Sequence, residues 1–377
     1  MAGSGRRGSR LAAAALRIAI AAALTGLVAA CGTSVNHGQA DNTGAAALSA
    51  SHVTITESGS GLLYPLARTW AEAYGQQFPG VTVTAASTGS GKGIALASAG
   101  KVDVGASDAY LSSGDLVQNP ALLNIPLAIS AQTVIYNLAE LSQGSHVRLD
   151  GEVLAGIYDG AITRWNDPLI AALNKNLRLP DITIVPIHRS DSSGDTFLFT
   201  SYLSTQDSGW NTSTGYGTTA LWPRVPGAKA ADGSVDMMQD CESTPGCVAY
   251  NGISYLSPAL KGGLGEAELA NSAGQFTLPT ATAIGDSVGS FVSLTPPNET
   301  ISMIDGPSAA GYPIVNYEYA VVSTSQPNAA KATAIRAFLT WVITTGNDAS
   351  YLGTVGFQPL PAALVSLGKA QIGEIGP

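Results

Sequence analysis

The chain has 377 residues, 45% of them apolar and 12% charged, with a formal net charge of −9. That length exceeds one small domain, and that apolar share excludes a disordered chain. The acidic balance argues against nucleic acid as a partner, and four histidines are too few for a histidine-based metal cluster.

The first thirty residues read as a signal peptide. Arg6, Arg7 and Arg10 form a basic start, and residues 11–30 run apolar apart from Arg17. The run ends in Val28-Ala29-Ala30-Cys31-Gly32, which looks like a bacterial lipobox; Cys31 would then be lipidated and become the mature N-terminus. The alternative is one uncleaved membrane helix with Cys31 incidental. Either way the bulk of the chain lies outside the cytoplasm. Cleavage removes four arginines and no acid, leaving 14 basic against 27 acidic side chains, a net charge of −13. Residues 31–51 follow as a flexible linker rich in small polar residues, with no apolar period.

Strand and helix signals then alternate. Residues 53–56, 81–84 and 102–105 read as strands, with helices over 63–78 and 94–99. Further on, 133–137 and 182–185 read as strands, and 153–158 and 196–202 as helices. Residues 312–322 are a long β-rich run, and 329–344 the clearest amphipathic helix. The order predicts an α/β fold with a largely parallel sheet.

Three Gly/Ser loops lie between a strand and a helix: Ser58-Gly59-Ser60-Gly61, Thr88-Gly89-Ser90-Gly91 and Ser192-Ser193-Gly194-Asp195. A helix start has backbone N–H groups without internal partners and a partial positive charge. Glycine admits an anion close to the backbone, and serine adds a hydroxyl donor. Each loop taken alone reads as an ordinary helix cap.

Two charged residues stand beside these loops. Arg189 precedes the third and offers a fork of donors suited to a tetrahedral oxyanion, with Asp191 placed to hold it. Its removal is expected to lower anion affinity and leave the stability of the empty protein nearly unchanged. Asp108 follows a strand. An ionised carboxylate only accepts hydrogen bonds, so it suits an anion that keeps a proton, as monohydrogen phosphate does and sulfate does not.

Cys241 and Cys247 enclose a turn-rich Glu-Ser-Thr-Pro-Gly segment. A disulfide is expected in an oxidising compartment; a metal site is the sharper alternative.

The residues also carry a family resemblance. Glu57-Ser58-Gly59-Ser60-Gly61-Leu62-Leu63-Tyr64-Pro65, Thr88-Gly89-Ser90-Gly91, Gly105-Ala106-Ser107-Asp108-Ala109, Leu154-Ala155-Gly156-Ile157-Tyr158-Asp159-Gly160 with Trp165-Asn166-Asp167-Pro168, Arg189 to Thr196, and Gly356-Phe357-Gln358-Pro359-Leu360-Pro361 resemble, in order, the phosphate-binding component of Pst-type ABC transporters. The likeness is closest to the lipoprotein branch of high-GC Gram-positive bacteria and spans about residues 53 to 365.

The resemblance implies a two-lobed, periplasmic-binding-protein-like (type II) α/β fold, each lobe a mixed, mostly parallel sheet flanked by helices. Lobe 1 takes residues 52–127 and 313–377, lobe 2 residues 128–312. Inorganic phosphate is held between them by Ser60, Gly61 and Leu62, largely through backbone N–H groups. Ser90 binds by hydroxyl and N–H, Asp108 accepts the phosphate proton, Arg189 makes the charged contact, and Ser193, Gly194 and Asp195 complete the third loop. The chain departs from the family pattern twice. Gly61 stands where a threonine is usual, leaving Ser60 to replace its hydroxyl. Asp195 stands where threonine or serine is common, and either accepts a second phosphate proton or points away. The expected partners are phosphate, a membrane permease and, through the lipid anchor, the outer face of the membrane. The protein is expected to act as a monomer with no cofactor and no metal.

The rival readings are the same fold holding another oxyanion, a hydrolase built on Asp191 and Ser192, and a surface adhesin or antigen. Two histidines in the folded region, His146 and His188, do not supply the base or metals a phosphatase requires.

Overall fold

The computed structural model describes residues 52–142 and 144–377. The expected signal peptide, Cys31 and nearly all of the linker lie outside the described residues.

Twelve strands occur among the described residues. They are β1 (Val53–Gly59), β2 (Val81–Thr84), β3 (Val104–Ser107), β4 (Leu122–Tyr136), β5 (Arg148–Leu149), β6 (Val185–Arg189), β7 (Lys229–Ala231), β8 (Cys247–Gly252), β9 (Gly265–Glu266), β10 (Glu268–Ala270), β11 (Phe276–Thr277) and β12 (Val315–Ser323). The main sheet runs in the order β2-β1-β3-β12-β4-β8-β6-β7.

Each end of this path is parallel: β2, β1 and β3 at one end, β8, β6 and β7 at the other. The middle is antiparallel. β12 pairs with β3 and β4, and β4 pairs with β8. The expectation of a largely parallel sheet therefore holds at the ends, and two long return strands join them. β4 does this by changing partner along its length: residues 122–131 pair with β12, and Gln132 to Tyr136 pair with β8. β4 and β12 are buried along nearly their whole length, so their residues show no period-two alternation of apolar and polar positions.

The longer helices are α1 (Tyr64–Gln77), α2 (Ser90–Ser98), α3 (Gly151–Asp159), α4 (Gly194–Gln206), α5 (Ser234–Glu242), α6 (Ala281–Gly289), α7 (Ala329–Val342) and α8 (Ala362–Gly373). Proline in the first turn starts α1, and Leu66, Trp70 and Tyr74 recur every fourth residue on its buried stripe. Tyr74 meets Phe338 and Trp341 of α7 edge-on, which packs the two helices together. At the other end, Tyr158 of α3, Phe199 of α4 and Tyr250 of β8 form a second aromatic cluster.

Two helices begin earlier than their apolar period suggests. α2 starts at Ser90 itself and α4 at Gly194, so the Gly/Ser loops supply first-turn residues. Gly89 precedes α2 with φ of 88°, a left-handed value that a side chain resists. Cys241 and Cys247 form a disulfide with Cα atoms 5.4 Å apart, joining the end of α5 to the start of β8.

Candidate functional site

Four strand ends converge on one place. β1 leads through Ser60 into α1, β3 ends at Ser107 beside Asp108, β6 ends at Arg189, and β7 leads into Ser234 at the start of α5. Loops at the carboxyl ends of parallel strands are where open α/β sheets hold ligands.

At one side of the site Ser60 Oγ donates to Asp108 Oδ1 and accepts the Leu63 N–H at 2.8 Å. The Asp108 N–H donates to Ser90 Oγ at 3.1 Å. Gly194 lies directly against this pair: a Cβ there would collide with Asp108 Oδ2 and Ser90 Oγ. Ser60, Ser90, Asp108, Ser193, Gly194 and Asp195 are all buried.

On the other side Arg189 is fully engaged. Its Nε and Nη2 donate to the two oxygens of Asp191 at 2.6 and 2.5 Å. Its Nη1 donates to Asp195 Oδ2 at 2.8 Å and to Ser234 Oγ at 3.1 Å. Ser234 Oγ also donates to Asp195 Oδ2 at 3.0 Å, and Gln132 Nε2 donates to Asp195 Oδ1 at 3.1 Å. Asp195 does not turn away: it stands between the guanidinium and Gln132.

Among the backbone donors, two expected ones are occupied. Ser60 N–H bonds Ala106 O at 2.9 Å and Ser193 N–H bonds Thr218 O at 2.7 Å. Ser193 Oγ caps α4 by accepting the Thr196 N–H. Leu62 is buried against Gly252, and its carbonyl accepts from Ser254 Oγ at 2.8 Å. Tyr255 OH donates to the Gly61 carbonyl at 3.1 Å. The threonine usual at Gly61 would crowd Ser234, because a Cβ there would lie 2.7 Å from Ser234 Oγ, which would have to move.

Burial dominates the electrostatics. It pushes the Asp108 carboxyl above its usual range, Asp195 adds to the rise, and Ser60 and Arg189 oppose it. Asp195 is raised by burial and held down by Arg189. Burial alone would pull the Arg189 guanidinium down, and Asp191 and Asp195 hold it up.

The sequence reading missed five partners. Glu318 and Asn316 lie on β12, Ser130 and Gln132 on β4, and Ser234 on α5. Ser130 Oγ lies 2.5 Å from Glu318 Oε1 and 2.6 Å from Asn316 Oδ1, with one proton to share between them, and Asn316 Nδ2 donates to Glu318 Oε1 at 3.0 Å. Polar Asn316 and Glu318 inside an otherwise apolar run were the available signal. Ser234 gave none, because the three-residue β7 carries no β-branched residue.

A cavity of about 350 Å³ opens beside Arg189 and Ser234, with Thr88, Lys92 and Tyr64 on its walls. A larger one of about 610 Å³, between His146, Arg148 and Lys175, shares no residue with these loops. No group of three or more His, Cys, Asp or Glu side chains among the described residues is arranged to hold a metal ion.

Residues 39–345 match a family model described as a PBP superfamily domain. The chain is 31% identical to the phosphate-binding protein PstS of Xylella fastidiosa (strain 9a5c) over 313 residues, covering 83% of each chain. It is 32% identical to PstS of Haemophilus influenzae over 332 residues, covering 84% of this chain and 92% of that one. It is 33% identical to PstS of Methanocaldococcus jannaschii, covering 81% and 82%. Among solved structures, a high-affinity periplasmic phosphate-binding protein, PfluDING, bound with phosphate, has a TM-score of 0.65 at 20% identity over 86% of this chain and 99% of that one. A further DING protein has a TM-score of 0.66 at 20% identity, covering 84% and 93%. These structures share the two-lobed fold, and with the sequence relatives they identify the chain as a member of the PBP superfamily and, within it, of the PstS family of phosphate-binding proteins.

Proposed function

We propose that this chain is the extracytoplasmic substrate-binding protein of an ABC importer and that its cargo is inorganic phosphate. One observation carries the reading: the buried Asp108 carboxylate sits among hydroxyls and the first turns of α2 and α4. Such a site offers donors to a tetrahedral anion and one acceptor that requires the anion to keep a proton.

Residues 52–127 with 313–377 form one lobe and 128–312 the other. They part where Gly194 meets Asp108 and Ser90, admit the anion, and close over it. The Ser90 hydroxyl and the N–H groups of Gly61, Leu62 and Gly194 supply donors, while Ser60 holds Asp108 in place. Asp108 takes the phosphate proton, and Asp195 takes a second one when the anion is dihydrogen phosphate. Arg189 acts through Asp195 and Asp191, which already take its donors. The closed form presents a surface to the permease, and no bond is made or broken.

Cys31 carries the lipid that tethers the protein, as a monomer, to the outer face of the membrane. Mass spectrometry of the mature N-terminus tests the anchor. Titration calorimetry with phosphate and sulfate across pH tests the ligand: one phosphate per chain and little heat from sulfate are expected, and equal binding of both anions would overturn the reading.

A further inference from the structure

The buried carboxyls of Asp108 and Glu318 flank one hydroxyl: Ser60 Oγ donates to Asp108 Oδ1 and lies 3.4 Å from Glu318 Oε2, and neither carboxyl reaches solvent. Two carboxyls so placed share one proton, because neighbouring like charges in a dry interior resist ionising together. The surroundings decide which holds it. Asp108 faces the Arg189 guanidinium of β6, Asp195 of α4 and the Tyr255 hydroxyl. Glu318 faces only neutral donors besides Asp108: Ser130 of β4, Asn316 of β12, and Ser60 Oγ at 3.4 Å from Oε2. The cation therefore favours ionised Asp108, and full burial favours neutral Glu318.

Resting on the phosphate reading above, we propose that Glu318 is a positioning residue that keeps a proton, donates it to Asp108, and so sets the charge of the anion site. The Asn316 amide donates to Oε1 of Glu318, which leaves Oε2, the oxygen nearer Ser60, to carry the proton toward Asp108. Asp108 is then fixed from the protein side by Ser60 and Glu318 while its charge remains available to the proton of the guest. With Glu318 ionised as well, Asp108, Asp191, Asp195 and Glu318 would stand against the buried Arg189, and a doubly charged guest would be repelled.

The test compares the unaltered protein with Glu318→Gln, which keeps a neutral donor, and Glu318→Met, which keeps the length and removes it. Infrared difference spectra at neutral pH should show the carbonyl stretch of an un-ionised carboxylic acid that Glu318→Gln removes. By calorimetry with inorganic phosphate, Glu318→Gln should bind within about threefold of the unaltered protein and Glu318→Met about tenfold or more weaker, one lost hydrogen bond being of that size. No acid band lost in Glu318→Gln, or a gain of about tenfold in that variant from removing a charge, overturns the proposal. Should the Met variant not fold, the other two comparisons decide it. If the unaltered protein gives no heat with phosphate, the function proposed above fails, and the infrared band still judges the proton.

Discussion

Arg189 and Asp195 are paired at 2.8 Å with both side chains about 1% exposed, so this buried cation is spent on the protein before any anion arrives. Asp191 adds a second carboxylate to the same guanidinium. The charge of a guest must then be met mainly by dipoles, which act strongly where water is excluded.

Arg189→Ala therefore does more than weaken an anion contact, which is what the sequence alone suggests. Removing one partner of a buried ion pair leaves an uncompensated charge and costs about 3–5 kcal/mol. Urea unfolding should show that loss in the absence of phosphate. An unchanged midpoint would return Arg189 to a role in binding alone.

Asp108→Asn exchanges an acceptor for a group that can also donate. Phosphate should lose at least about tenfold of its preference over sulfate, since selectivity of this kind rests on a site group left unpaired by the wrong guest. Competition calorimetry with both anions reads this directly; an unaltered ratio would remove Asp108 from selectivity.

Gly61→Thr, which installs the residue usual in the family, places a Cβ 2.7 Å from Ser234 Oγ and 3.3 Å from Ser87 Oγ. Overpacking of this sort costs about 1–3 kcal/mol. Adding Ser234→Ala removes the nearer oxygen, so the double variant should lose less stability than the two single losses combined. Simple additivity in thermal unfolding would mean the two positions do not compete for space.

Stability should fall as pH rises from about 5 to 8. Burial raises Glu57 and Glu299 from 4.5 to about 8 and Glu266 to about 7. Through that window the folded chain holds protons that the unfolded chain has released, so rising pH favours unfolding. Melting temperatures measured across the window, with Glu57→Gln and Glu299→Gln each flattening the slope, would bear this out; a melting point that climbs with pH would contradict it.

The strand–loop–helix order, the three Gly/Ser loops, Asp108 and Arg189 were legible in the chain because each is a local pattern. A helix period, a glycine that lets a loop turn, and a polar residue at a strand end all act over a few neighbours. The boundaries that shifted, at α2 and α4, did so because cap residues carry no apolar period. The disulfide was within reach because its cysteines are six residues apart in a turn-rich segment.

Glu318 was not legible, and neither was the engagement of Arg189. Ser130 and Glu318 are 188 residues apart and Ser60 and Asp108 are 48 apart, so only the pairing of β4 with β12 and β1 with β3 brings them together. Sequence fixes which groups are present and which local turns they favour. Their protonation and their charge depend on burial and on neighbours distant in the chain, and those are properties of the folded molecule alone.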